Sequence, residues 1–114
     1  MGSRSGLGEL EQLILLSILR LDDSAFGPDI ARDLEDSVGR RVTRGALYST
    51  LNRLAEKQLL DWTPEEPGTD RKGHIRRRFT LTPDGLTALR SQRETLLTLW
   101  DGVGAVLDAG GRMR

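Results

Sequence analysis

Apolar residues crowd the stretch from Leu7 to Leu21 so densely that a helix built from it is apolar on nearly every side: Leu10, Leu13, Ile14, Leu15, Leu16, Ile18 and Leu19 leave no polar face. Such a helix must be covered from more than one direction. Its own domain supplies one cover; the second is read as a partner subunit, with full burial inside a monomer as the alternative. Asp22-Asp23-Ser24 breaks the pattern, and Gly27-Pro28 opens a second helix, with proline where a missing N–H costs nothing. Ile30, Ala31, Leu34 and Val38 give it one stripe, Asp29, Asp33, Glu35 and Asp36 form a solvated face, and Gly39 ends it.

Thr43 is an N-cap for a third helix running to about Gln58. Leu47, Leu51 and Leu54 share its core face. The opposite face holds Gly45, Ser49, Asn52 and Glu56, flanked by Arg44, Tyr48 and Arg53. Residues 59–63 then read as a short strand, residues 64–73 as a loop rich in Pro and Gly, and residues 75–81 as an alternating strand. Ile75, Arg77, Phe79 and Leu81 fall on one face of that strand, Arg76, Arg78 and Thr80 on the other. Thr82 and Pro83 start a last helix expected to reach about Asp108. Leu86, Leu89, Arg93, Leu96, Trp100, Val103 and Leu107 recur three and four apart along it, a seam suited to a second helix. Gly102 and Gly104 weaken its end.

Three helices, a hairpin and a long helix make a mainly α fold with a small β-hairpin: a winged helix-turn-helix followed by a C-terminal dimerisation helix. The expected division is a flexible tail at 1–6, a winged-helix domain at 7–82, the dimerisation helix at 83–109 and a second tail at 110–114.

The 114 residues suffice for one small domain, and the absence of cysteine excludes disulfides and thiolate-held metal. No apolar run approaches the roughly 18 residues that cross a bilayer. Residues 1–6 lack the apolar centre of a signal peptide, so a cytoplasmic protein is expected, with no membrane partner. Net charge is zero, which argues against a nucleic-acid partner; the distribution argues for one. Residues 40–57 hold five cations against Glu56 alone, and residues 71–78 hold Arg71, Lys72, Arg76, Arg77 and Arg78 with no acid. A neutral chain with segregated charge can still present one cationic face to DNA.

Candidate DNA contacts on the third helix are Thr43, Arg44, Tyr48, Ser49, Asn52 and Arg53; its first turn should reach deepest into a groove. On the hairpin they are Arg71, Lys72, His74, Arg76 and Arg78, as phosphate ligands. A solvated helix face and a solvated charge run are the plain alternatives. Arg77 shares its strand face with Phe79, where it packs or pairs instead. His74, the one histidine, cannot build a transition-metal site unaided, and no nucleophile or carboxylate stands beside it in a motif. No enzyme activity and no cofactor are expected. The candidate dimer interface comprises Leu10, Ile14, Leu89, Arg93, Leu96, Trp100, Val103 and Leu107.

Several segments resemble the PadR family: residues 7–16 (LGELEQLILL), 26–30 (FGPDI), 43–54 (TRGALYSTLNRL) and 76–86 (RRRFTLTPDGL). The resemblance runs from about residue 7 to residue 90, and the single C-terminal helix is similar to the short subgroup. It implies a dimeric transcription regulator, a repressor by preference, with the third helix in the major groove of an operator, the hairpin on the backbone or minor groove, and the C-terminal helices packed together and against the partner's first helix. It also implies that Trp100 and its symmetry mate can line a cleft for a flat aromatic ligand, with plain dimer packing as the alternative. The chain departs from the family at Arg78-Phe79, where a Tyr-Tyr pair is usual, and at Phe26 and Pro28, where tyrosines are usual. A protein-interaction module without DNA binding, and a small-molecule sensor built on Trp100, are the competing classes.

Overall fold

The computed structural model describes residues 6–65 and 76–110. Five α-helices and one antiparallel strand pair follow in the order α1 (Glu9–Arg20), α2 (Gly27–Val38), α3 (Arg44–Glu56), β1 (Leu60–Pro64), β2 (Arg77–Leu81), α4 (Pro83–Trp100) and α5 (Val103–Asp108). The architecture is the expected winged helix.

Local chemistry sets the element ends. Gly8 precedes α1, and its N–H donates to the Glu11 carboxylate at 2.9 Å, the returning half of a capping box. Asp22 and Asp23 both take left-handed backbone angles, which turns the chain sharply after α1. The turn is fixed from across the fold, because the Leu81 N–H donates to the Asp23 carboxylate at 2.9 Å. Gly39 ends α2 in the left-handed conformation. Thr43 caps α3 by accepting from the Ala46 N–H at 3.1 Å.

A two-stranded hairpin alone is marginal in water, and two supports steady this one. Ala25, before α2, exchanges both backbone hydrogen bonds with Phe79 at 3.1 and 2.8 Å, adding a one-residue third strand absent from the sequence reading. Beneath it, Phe79 is wholly buried with Ile14, Leu15 and Ile18 of α1, Ile30 of α2 and Leu51 and Leu54 of α3. The strands pair Leu60 with Leu81, Trp62 with Phe79 and Pro64 with Arg77.

Thr82 does two jobs at the start of α4. Its hydroxyl accepts from the Gly85 N–H at 3.0 Å and donates to the Gln58 carbonyl at 2.7 Å. Gly85 lies so close to the Leu59 carbonyl oxygen that a Cβ there would collide with it. Beyond Leu89 the helix leaves the domain: Leu96, Leu97, Leu99 and Trp100 are all exposed. The radius of gyration, 16.8 Å, exceeds the roughly 13 Å of a compact chain this long, as a projecting helix requires.

Two expectations need correction. The last helix does not run unbroken to Asp108; Asp101 leaves helical geometry and Gly102 turns left-handed (φ 80°), so Val103 and Leu107 sit on the separate α5. Glycine there makes the reversal cheap and ends the seam at Trp100. Ile14 is 0% exposed, so it belongs to the domain's own core and has no surface left for a partner.

Candidate nucleic-acid interface

Helix α3 presents Arg44, Gly45, Ala46, Ser49 and Asn52 to solvent. Capping fixes its first turn, while Leu47, Leu51 and Leu54 lock the opposite side into the core. Tyr48 is half-buried between the two regions. Its phenol lies against Gly27 at the start of α2, where any side chain would displace it. The Arg44 guanidinium sits 5.1 Å from the ring centroid. Among the described residues Arg44 makes no ion pair.

Arg77 of β2 lies beside α3. It donates to Asn52 Oδ1 at 3.1 Å and stands 5.9 Å from the Tyr48 ring, 5.1 Å from Trp62 and 5.2 Å from Phe79. Arg77 therefore both packs among these rings and pairs with Asn52. The same contacts bring the exposed side of α3 and the basic hairpin strand to one side of the domain.

Other cations also make contacts within the domain. Arg78, expected to contact DNA, makes a forked pair with Glu65 (3.3 and 3.0 Å), donates to Ser24 at 2.8 Å and stacks 4.7 Å from Phe26. In the free protein Arg78 braces the hairpin against the turn before α2. Arg76 covers Phe26 from 3.8 Å. Arg53 donates to the Glu11 carboxylate at 3.2 Å, and Lys57 joins it at 2.8 Å. Burial pushes the Glu11 pKa up, but hydrogen bonds from Lys57, the Gly8 N–H and Arg53 outweigh it and hold it below the ordinary carboxylate value. This cluster ties α1 to the end of α3 and was not anticipated; Glu11 inside an otherwise apolar helix is the signal that could have found it. Arg40 pairs with Glu9 and Arg41 with Glu35, both at 3.2 Å. Arg71, Lys72 and His74 lie outside the described residues.

A second polar cluster clamps α1 to α2. The buried Ser17 hydroxyl donates to Asp33 at 2.8 Å, Arg20 donates to both its oxygens at 3.1 Å, and Ser37 donates at 3.0 Å. Hydrogen bonding to Arg20 is the main cause that lowers the Asp33 pKa to about 2.

An apolar groove of about 530 Å³ runs between α1 and α4, lined by Leu16, Leu19, Leu86, Leu89, Arg93 and Trp100 among others. Leu16 is 40% exposed and Trp100 48%. Of the expected interface residues, Arg93, Leu96 and Trp100 are exposed on α4, and Val103 and Leu107 on α5. Leu89 is nearly buried and Leu10 packs against the core. The outward face of α1 is carried by Leu16, which the sequence reading passed over as an interface residue; its alignment with Gln12 and Leu19, four and three positions away, is the pattern that marks it. Among the described residues no cluster of His, Cys, Asp and Glu can hold a metal ion, and no helix is long and apolar enough to cross a membrane.

Residues 15–91 match the family described as "Transcriptional regulator PadR-like family". The chain belongs to the PadR-like family. Solved structures agree. A PadR family regulator from Eggerthella lenta superposes with TM-score 0.68 at 29% identity, covering 87% of this chain and 86% of that one. A PadR-like transcription factor from Bacteroides fragilis gives 0.69 at 26% identity, covering 85% and 88%. A PadR family regulator from Clostridium difficile gives 0.69 at 19% identity, covering 92% and 100%. No curated protein sequence matches the chain significantly. PadR-like proteins are transcriptional regulators, not enzymes. In this PadR-like chain, Phe26 is held between the guanidinium groups of Arg76 and Arg78.

Proposed function

We propose that this PadR-like protein is a homodimeric, sequence-specific operator-binding repressor of the cytoplasm. Helix α3 enters the major groove through Thr43, Arg44, Tyr48, Ser49 and Asn52, and the hairpin reaches flanking phosphates through Arg76 and, beyond the described residues, Arg71, Lys72 and His74. The carrying observation is Arg77, which touches both Asn52 and Tyr48 and so joins helix and hairpin cations on one side. The exposed apolar residues of α1 and α4 favour pairing of two copies away from that side, since a monomer seldom leaves so large an apolar patch in water. A flat aromatic molecule held near Trp100 between the copies would release the operator by changing the separation of the two α3 helices.

The test is fluorescence anisotropy on the protein's own upstream DNA. Affinity should be nanomolar and fall steeply with salt, and Arg44→Ala should reduce the slope of log K against log salt by about one. Binding that is absent or indifferent to salt refutes the reading. Sedimentation should show a dimer, and planar aromatics should quench Trp100 fluorescence.

A second reading, a winged-helix interaction module without DNA binding, is favoured by one observation. Arg40, Arg41, Arg53 and Arg78 are all neutralised by carboxylates. Capture of one stoichiometric protein partner together with no affinity for DNA would select it.

A further inference from the structure

We infer that Asn52 and Arg77 act as one donor-rich, cationic unit that reads guanine, and that Arg77 thereby turns Asn52 away from the adenine it would otherwise select. This rests on the DNA-binding reading above and adds the base class that one part of the surface recognises.

The argument starts from the direction of one hydrogen bond. A guanidinium carries five N–H donors and no acceptor. The Asn52 atom 3.1 Å from Arg77 Nη1 must therefore be the carbonyl oxygen Oδ1, whichever way an isolated amide might turn. With Oδ1 engaged, the amide presents its Nδ2 hydrogens. Asparagine recognises adenine by donating to N7 while accepting from the N6 amino group. Here one of the two Oδ1 lone pairs is taken by a cation, and an amino group seeking the other would approach beside a positive charge.

What the pair offers is donors: the Nδ2 hydrogens of Asn52 and the other N–H groups of Arg77. In the major groove only guanine places two acceptors, N7 and O6, side by side. Asn52 is exposed on α3, and Arg77 is held next to it by rings on three elements: Tyr48 on α3, Trp62 on β1 and Phe79 on β2. The rings attract the cation through their faces and take none of its in-plane hydrogens. The two residues lie 25 positions apart, and the fold alone makes them a unit.

Selection from a random duplex library, run in parallel with the unaltered protein, Asn52→Ala and Arg77→Met, tests this. The unaltered protein should enrich guanine at one position per half-site. Asn52→Ala, a change on an exposed helix face, should relax that position by about tenfold and leave the others alone. Arg77→Met keeps an apolar stem among the rings, removes the donors and returns Oδ1 to Asn52; the position should move from guanine to adenine. A circular-dichroism melt checks that Arg77→Met is folded, and Asn52→Ala decides the matter if it is not. Adenine at the Asn52-dependent position of the unaltered protein overturns the inference. So does guanine retained by folded Arg77→Met, or an Asn52→Ala loss spread equally over all sequences, which marks a phosphate contact. Enrichment of no sequence by the unaltered protein removes the DNA-binding reading itself, whereas a motif that ignores Asn52→Ala removes only this inference.

Discussion

Replacing Gly85 by alanine adds one methyl group at the point where α4 leaves the domain. At that site the new Cβ would overlap the Leu59 carbonyl oxygen, a backbone atom with no rotamer to yield. Helix and corner must separate. Forcing a methyl into a packed site costs about 1–3 kcal/mol. The separation also strains two hydrogen bonds, Thr82 N–H to Leu59 at 3.1 Å and the Thr82 hydroxyl to Gln58 at 2.7 Å. Each is worth about 1 kcal/mol net. Alanine returns about 1 kcal/mol through better helix propensity. The net loss is about 2–4 kcal/mol, which for a domain of this size lowers Tm by roughly 10–20 °C. Thermal unfolding followed by circular dichroism, at equal protein concentration for both proteins because dimer formation shifts Tm, measures it. A Tm within about 3 °C of the unaltered protein, or above it, would refute the reasoning, since that shift corresponds to well under 1 kcal/mol.

Gly27→Ala is the informative contrast. Its Cβ would first meet the Tyr48 phenol, the far end of a side chain that can swing away, so Tm should change less than for Gly85→Ala while operator affinity drops several-fold in the anisotropy assay. Ile14→Ala should lower stability by about 2–5 kcal/mol in urea unfolding, as for a fully buried aliphatic side chain, without a direct effect at a dimer contact. Leu16→Asp should do the reverse, leaving the fold near its original stability and raising the dimer dissociation constant by at least about tenfold (roughly 1.4 kcal/mol) in sedimentation. Asp33 carries the acid dependence. Its pKa falls from 3.8 to about 2 on folding, so the stability it contributes is fully present above pH 4 and is lost as pH falls through 2. Asp33→Asn should remove that slope from a pH series of urea midpoints; an unchanged slope would show that other carboxylates dominate.

Local rules made much of the fold legible. Thr43, Gly39, Thr82 and Pro83 mark helix ends through hydrogen bonds and backbone angles that involve only neighbours in the chain, and each acts where expected. Leu47, Leu51 and Leu54 follow helical period onto a buried face for the same reason. The polar face of α3 was readable as a face, because period assigns directions. Partners were not. Arg53 and Arg78 look like their neighbours in composition and spacing, yet Glu11 and Glu65 claim them across gaps of 42 and 13 residues.

The chain by itself determined the order of helices and hairpin, their caps and the side each helix turns inward, because these depend on propensity, period and contacts within a few residues. Tertiary structure alone decided which α1 residues look outward, that Ala25 joins the hairpin, and that Arg77 meets Asn52. Those outcomes depend on close approach between distant segments, where steric fit and charge pairing choose among partners that the local pattern leaves equivalent.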